Sequence, residues 1–374
     1  MHIGIDGNLL CGKKTGMGTV ACSILKYWKT DGGNKITVFV PERLDYNYQE
    51  NLETHGISIK ICGKANYFVW EQIVLPKAVK KENVDVLWCP YNTAPLVISC
   101  ATVVTVHDII YMTQPLKSAP TWYKKAGIIY RRFVVPKAIN RSKKVITISQ
   151  YAQSVICSSF PSATEKIRVI YNSADINTSA LDIEAEKKFF KDHNITVPYI
   201  LGFGSLEPRK NSIGLIKAYS HLPADIREKY QLVLFGFRGF GESADRNYIQ
   251  EKHIKGIVVL GYVSDKEKNT LYRNSEMFVF PTSSEGFGIP VLEAYANSTP
   301  VITSNVTSIP EVAGDAAILV DPERLDQIKT AIIKLAMNAK LREELILKGK
   351  RQLTCFDWEK SSEHVMSVVM ETKD

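Results

Sequence analysis

No apolar stretch in these 374 residues approaches the roughly 18 needed to cross a bilayer, so no transmembrane helix is expected. No CxxC pair occurs, and the seven cysteines, Cys11, Cys22, Cys62, Cys89, Cys100, Cys157 and Cys355, are odd in number and widely spaced. That speaks against a disulfide framework or a zinc site and for a reducing cytoplasm. The opening Met1-His2-Ile3-Gly4-Ile5-Asp6 lacks a basic region and an apolar signal core, and reads as a strand. There is no tandem repeat or low-complexity tract. With 22 glycines, 16 prolines, 45% hydrophobic and 23% charged residues, a disordered, collagenous or coiled-coil chain is excluded. The length makes two domains the default.

Acid is missing where base is plentiful. Met1 to Thr164 carries 20 Lys+Arg against 10 Asp+Glu, leaving 27 and 29 for the remainder. Between Asp108 and Glu165 no acidic residue occurs, yet there are nine basic ones: Lys117, Lys124, Lys125, Arg131, Arg132, Lys137, Arg141, Lys143 and Lys144. Tyr111, Trp122, Tyr123, Tyr130 and Phe133 are interleaved. A charge run is ordinarily a solvated face. With no compensating acid, an anionic partner is expected, either lipid or nucleic acid.

Short β-branched runs predict strands near His2–Asp6, Ile36–Val40, Ser58–Cys62, Asp85–Cys89, Thr102–His107, Lys144–Ser149 and Arg168–Tyr171. After a polar boundary stretch, Asn172 to His193, containing a helical piece Leu181–Phe190, they resume. The second set is Tyr199–Phe203, Gln231–Gly236, Ile257–Leu260, Met277–Pro281, Pro300–Thr303 and Ala316–Val320. The runs do not alternate strictly, as expected of parallel strands covered on both faces. Two doubly wound α/β domains follow, with ligands beyond the carboxyl ends of their strands. Trp358 to Glu371 is a candidate amphipathic helix.

Four motifs can carry chemistry. The strand ending in Phe280-Pro281 runs through Thr282-Ser283-Ser284 into Glu285-Gly286-Phe287-Gly288-Ile289-Pro290-Val291-Leu292-Glu293. Pro290 suits a first helical turn, and Gly286 and Gly288 permit close approach of a ligand to the backbone. The free N–H groups of the helix start make an anion site. Glu285 and Glu293, eight residues apart, can reach two parts of one elongated ligand, though a helix cap and a surface Glu would look the same. The second motif, Gly202-Phe203-Gly204-Ser205-Leu206-Glu207-Pro208-Arg209-Lys210-Asn211, places adjacent cations at a strand-to-helix turn. That suits a diphosphate, the competing reading being a solvated pair. The third is Gly12-Lys13-Lys14-Thr15-Gly16-Met17-Gly18, a phosphate-facing type of loop that matches no full nucleotide fingerprint. The fourth is His107-Asp108 at a strand end.

Together these pieces resemble a retaining glycosyltransferase of family 4, of the bacterial mannosyl- and rhamnosyltransferase-like group 1. The likeness runs through nearly the whole chain: GIDGNLL from Gly4, VVTVHDI from Val103, VITISQYA from Val145, IRVIYNSAD from Ile167, GFGSLEPRKN from Gly202, VVLGYVSDKE from Val258 and SEGFGIPVLEAYANSTPVITSNVTSIPEVAGDAAILVDP from Ser284. The resemblance implies the GT-B fold, two Rossmann-like doubly wound domains facing a central cleft. Residues 1–175 would bind acceptor, 176–355 would bind the nucleotide sugar, and 356–374 would form a helix crossing back to the first domain. It further implies that Arg209 and Lys210 hold the donor diphosphate and that Glu285 contacts donor-sugar hydroxyls. The backbone at Gly286, Phe287, Gly288 and Ile289 would close on sugar and phosphate, Glu293 would accept from the ribose, and Gly16, Gly18 and Gly204 would lie near the phosphates. His107 would reach the sugar near the reacting centre, so His107, Arg209, Lys210 and Glu285 are the expected catalytic residues. Asn172-Ser173-Ala174 departs from the family's common Asn-Gly-Val, and Asn297-Ser298-Thr299 from Cys-Gly-Thr, so Ser298 must occupy a turn that glycine usually fills.

No Asp-x-Asp pair stands where a metal would bridge the diphosphate, so neither metal nor other cofactor is expected. The donor would be GDP-mannose, dTDP-rhamnose or a UDP-sugar, and the acceptor a growing, lipid-linked capsule, O-antigen or exopolysaccharide glycan. With Trp122, Lys124, Lys125, Arg131 and Arg132 docking on anionic lipid, the protein would sit peripherally on the cytoplasmic face of the membrane. Nucleic acid is disfavoured as a partner. The alternatives are a GT-B enzyme glycosylating a polyanion such as DNA, a non-catalytic sugar-nucleotide binding protein, and a GT-B epimerase, whose acid/base groups are lacking.

Overall fold

The computed structural model describes all residues except 13–15, 31–32, 114, 117–120, 176–177, 197, 238 and 374, and all side chains of the others except those at 124, 242 and 373. The chain divides into two compact units. Unit 1 is Met1–Asn172 together with Asp357–Asp374, and unit 2 is Ser173–Phe356.

Unit 1 is built on a seven-stranded sheet of β1 (His2–Asp6), β2 (Lys35–Val40), β3 (Ile57–Ile61), β4 (Val86–Cys89), β5 (Ala101–Thr105), β6 (Lys144–Thr147) and β7 (Ile167–Val169), in the order β3-β2-β1-β4-β5-β6-β7. Unit 2 carries β8 (Tyr199–Phe203), β9 (Gln231–Phe235), β10 (Ile257–Val259), β11 (Met277–Phe280), β12 (Val301–Ser304) and β13 (Ala317–Val320), in the order β10-β9-β8-β11-β12-β13. The ladders are parallel. Helices cover both faces of such a sheet, so its inner strands are apolar throughout: β1, β4, β11 and β12 are buried at every residue. In each unit the strand order reverses once, between β1 and β4 and between β8 and β11. The crevice for a ligand opens beyond the carboxyl ends of the strands at these points.

β5, β6 and β7 each stop two residues earlier than their sequence suggests. β5 ends at Thr105, so His107 lies in the following segment instead of the strand. β6 ends at Thr147 because Ser149 caps the helix Gln150–Ser159, accepting from the Ala152 N–H at 3.0 Å. The acidic helix after the boundary runs Ile183–Asp192, started by Asp182 accepting from the Ala185 N–H at 2.9 Å.

The helix Trp358–Met370 belongs to unit 1. Its Trp358, Val365, Val368 and Val369 are buried. Ser362 Oγ donates to Ile24 O at 2.7 Å, Ser361 Oγ to Tyr171 O at 2.7 Å, and Trp28 Nε1 to Ser362 O at 3.2 Å. Ser173, the serine that departs from the family's glycine, is buried and donates to Phe356 O at 3.1 Å. It thereby ties together the two ends of unit 2.

Candidate active site

Beyond β8 the chain makes a 3-10 turn, Pro208–Lys210, before the helix Ser212–Ser220. The elbow between them is Asn211, at φ 55°. Asparagine tolerates this left-handed conformation better than most residues. Its amide nitrogen donates to Pro281 O at 3.0 Å and to Pro322 O at 2.8 Å, which locks the turn against the loop after β11. Thr282 Oγ1 and the Ser283 N–H reach back to Arg209 O at 2.8 and 2.7 Å.

The two loops meet on one carboxylate. Glu285 is buried and accepts from Lys210 Nζ at 2.5 Å and Thr282 Oγ1 at 3.1 Å on Oε1, and from Arg209 Nη1 at 3.0 Å on Oε2. Arg209 Nη1 also donates to Ser284 O at 3.0 Å, and its Nη2 pairs with the exposed Glu207 carboxylate at 2.7 Å. The Lys210 ammonium lies 5.4 Å from the ring centres of both Phe203 and Phe280. Cation–π attraction from two rings holds it without using its remaining N–H groups. An anchor of this kind fixes both cations at the carboxyl ends of β8 and β11, where an anion can approach them.

The loop to the next helix is held from outside. Glu285 N donates to Thr307 Oγ1 at 3.2 Å, and Ser308 Oγ donates to Glu285 O and Phe287 O at 3.0 and 2.9 Å. Thr307 has φ 57°, a strained state for a β-branched residue. Gly288, at φ 120°, starts the helix Ile289–Ala296, and a Cβ there would meet Ile309 Cδ1 at 2.7 Å. Phe287 is buried edge-on against Phe356, with ring centres 5.6 Å apart. Gly286 is buried beside it and Ile289 is half-buried.

Glu293 lies one turn into that helix. Its Oε1 pairs with Lys268 Nζ at 2.7 Å and its Oε2 accepts from Tyr272 Oη at 3.3 Å. Burial disfavours the charge on Lys268, but the carboxylates of Glu293 and Asp265 outweigh it and raise the ammonium above its usual range.

Unit 1 holds the other expected residues. His107 is buried beyond β5, with its N–H donating to Asn92 Oδ1 at 2.7 Å and Nε2 lying 2.8 Å from Pro90 O. A carbonyl only accepts, so Nε2 carries the proton and Nδ1 is a bare acceptor. Burial lowers the His107 pKa, opposed by the Pro90 bond and Asp108, so the ring is neutral near pH 7. Gly18 is required by packing, since a Cβ would stand 2.5 Å from Leu9 O, whereas Gly16 faces open space. At Gly204 in unit 2 the Phe237 ring fills the position a Cβ would take. Lys13, Lys14, Thr15 and Lys117, and the side chain of Lys124, lie outside the described residues.

Of the docking residues on the helix Trp122–Arg141, Trp122 is 85% exposed with Lys125 over its ring at 5.3 Å. Arg131 and Arg132 are not free surface cations. Arg131 stacks on Tyr111 at 5.3 Å and Arg132 Nε donates to Tyr111 O at 2.9 Å. Residues missed by sequence reasoning are Asn211, Thr282, Thr307, Ser308, Lys268 and Tyr272. Only Asn211, an Asn directly before a helical pattern, left a local signal.

A family model described as Glycosyl transferases group 1 matches residues 184–352, and one described as Glycosyltransferase Family 4 matches 14–178. The chain is 33% identical over 261 residues to O-antigen chain mannosyltransferase B of Escherichia coli, covering 69% of this chain and 67% of that protein. It is 29% identical over 269 residues to O-antigen chain mannosyltransferase RfbU of Salmonella typhimurium, covering 71% and 68%. Among solved structures, Anabaena Alr3699/HepE in complex with UDP and glucose superposes with a TM-score of 0.71 at 19% identity, covering 99% of each chain. Two parallel Rossmann-like sheets, two family models and these relatives agree: this chain belongs to glycosyltransferase family 4 and has the GT-B fold.

Proposed function

We propose that the chain transfers mannose from GDP-mannose, with retention of configuration and without a divalent metal, to a growing lipid-linked surface glycan. The observation that carries this reading is the Arg209–Lys210–Glu285 cluster at the β8/β11 crevice. Mannose is preferred to rhamnose from dTDP-rhamnose or to a UDP-sugar because both curated relatives named above are mannosyltransferases of O-antigen chains.

Breaking the C–O bond to the diphosphate makes the sugar oxocarbenium-like and puts negative charge on the leaving group. Arg209, Lys210 and the N–H groups after Gly288 are aimed at that charge, and they are preorganised by Glu285, Asn211, Thr282 and Ser308. Fixed donors of this kind are often the largest catalytic contribution. As the C1–O bond to the diphosphate breaks, the acceptor hydroxyl oxygen would bond to C1 from the same face and pass its proton to an oxygen of the departing phosphate. Glu285 Oε2 keeps one acceptor direction for a sugar hydroxyl, and Glu293 would accept from the ribose. His107, neutral and with Nδ1 bare, would accept a hydrogen bond and not donate a proton.

A membrane-bound acceptor is supported by the helix Trp122–Arg141. Trp122, Ile129 and Phe133 share one face and are 85%, 55% and 58% exposed, with exposed Lys137 next on the same stripe and its ammonium 3.3 Å from the Phe133 ring centre. An exposed apolar stripe edged by cations suits an anionic bilayer surface better than a phosphate backbone such as DNA.

The test is a thermal-shift series with GDP, UDP and dTDP, followed by transfer assays with the matching sugars. GDP is expected to stabilise most, and Arg209→Ala to lower turnover by about 10²-fold or more. No shift with any of the three would sink the donor assignment.

A further inference from the structure

Unit 1 has its own switch point, between β1 and β4. Asp6 ends β1 there, and the segment after β4 brings in Thr93. The chain after β3 enters a helix at Tyr67–Val69 and passes directly into a π-helical turn, Trp70–Val74. Such turns are rare and concentrate at functional sites.

Glu71 sits in that turn and is wholly buried. Among the described residues no cation pairs with it. Its carboxylate is held instead by hydroxyls and an amide: Tyr67 Oη at 3.1 Å, Thr93 Oγ1, Tyr130 Oη, and Gln72 Nε2 at 2.8 Å. Asp6 is buried next to it, accepting from Trp70 Nε1 at 2.9 Å. Burial raises both carboxyls, Asp6 to about 7. A buried carboxylate without a cation adds little to stability compared with apolar packing. What this one does is fix two tyrosines.

The rings of Tyr67 and Tyr130 meet edge to face at 6.0 Å, and Phe68 packs on Tyr130 at 4.5 Å. All three residues are half-buried. Both tyrosine hydroxyls are turned inward onto Glu71, so the parts left to solvent are ring carbon. Rigid aromatic surface with a few convergent polar groups, at the carboxyl edge of a parallel sheet, is the make-up of a small-ligand site. Ring faces pack against the C–H face of a pyranose.

We propose that Tyr67, Phe68 and Tyr130 form a pyranose subsite for the acceptor glycan, with Glu71 as the positioning residue that sets the two tyrosine rings. The proposal rests on the glycosyltransferase reading only in naming that sugar as part of the acceptor.

The full chain, without donor, is titrated with α-linked mannotriose by saturation-transfer NMR, while GDP thermal shift is recorded in parallel. Saturable binding is expected for the wild type, with at least a tenfold loss in Phe68→Leu, which keeps apolar volume but removes the ring. Phe68→Trp is expected to retain binding. Glu71→Gln, which keeps the shape but replaces one of the two oxygens that face the tyrosine hydroxyls by an NH2 donor, is expected to weaken mannotriose about threefold. The GDP shift should be unchanged in all three variants. Wild-type affinity in Phe68→Leu, absence of mannotriose binding by the wild type, or joint loss of the mannotriose and GDP responses overturns the subsite. If the wild type ignores GDP, the donor reading falls while the mannotriose arm still decides the subsite.

Discussion

At the scale of single residues, Glu285 is the pivot of unit 2. The family resemblance implies that it contacts sugar hydroxyls and that the two cations hold the diphosphate. The structure adds that Glu285 is what holds the cations, through bonds of 2.5 Å to Lys210 and 3.0 Å to Arg209. Glu207 is different: it is exposed and pairs with Arg209 Nη2 at 2.7 Å, where a diphosphate oxygen would compete with it. Exposed pairs contribute about 0.2–1 kcal/mol, so Glu207→Gln is expected to tighten GDP binding by a factor of up to about five by calorimetry. Unchanged or weaker binding would show that Glu207 does not occupy the anion's place. In unit 1, Asp6 titrates near 7 when folded, raised by burial, against about 3.9 for an unfolded Asp. The folded chain therefore holds the proton between these values, and the associated stability is full below the lower value and declines as pH rises to about 7. Urea midpoints at pH 5 and pH 8 should fall by less in Asp6→Asn than in the wild type. An equal fall in both would place the titration elsewhere.

Two elements carry predictions of their own. The turn after the helix Ile289–Ala296 puts Ser298 at φ 60°, a conformation that favours glycine, as the family resemblance implied for this turn. A non-glycine residue in this conformation costs roughly 1–2 kcal/mol, and the Ser298 side chain is exposed. Ser298→Gly is expected to raise stability by about 1 kcal/mol in urea melts, part of the relief being offset by the unfolded chain's entropy. A loss of stability would mean the serine makes an interaction worth more than the strain. The helix Trp122–Arg141 turns Trp122, Ile129 and Phe133 outward, whereas Arg131 and Arg132 are engaged with Tyr111. The variant that tests membrane docking is thus Trp122→Ala, Phe133→Ala and Lys137→Glu together. It should no longer sediment with anionic liposomes at low salt, while GDP binding in unit 2 persists. Each Lys near such a surface contributes about 1 kcal/mol, so neutral liposomes should bind the wild type less. Equal sedimentation of variant and wild type would remove this helix from the interface.

For the molecule as a whole, charge is divided between the units, and the proposed chemistry depends on how unit 2 balances it. Arg209 and Lys210 bring two positive charges and Glu285 one negative, all within hydrogen-bonding distance, leaving a net positive crevice before Glu207 is counted. Fixed cations can stand in for a divalent ion at a diphosphate. Transfer is therefore expected to proceed unchanged in EDTA. Loss of activity in EDTA that Mg²⁺ or Mn²⁺ restores would require a metal alongside these residues.

The sequence by itself determined the strands and most of the loops that matter. β1 and β8 have the bounds read from their β-branched runs, and Gly288-Ile289-Pro290 starts a helix as its chemistry demands. These features depend on near neighbours: backbone sterics, a proline in the first turn, a cap within three residues. Even the cost at Ser298 was legible as a turn lacking its usual glycine. Only the tertiary structure decided what lies beside what. Arg209 and Glu285 are 76 residues apart in the chain and meet because β8 and β11 are neighbours in the sheet, although two strands separate them in sequence. Asn211 reaches Pro322 across 111 residues, and Glu71 meets Tyr130 across 59. The acid-free stretch read as basic with interleaved aromatics, but folding its helix against Tyr111 half-buried two of the arginines and left an apolar stripe outside. Strand order and helix rotation are set by which apolar faces can be buried together. That balance is summed over the whole core, so it cannot be read from any one segment.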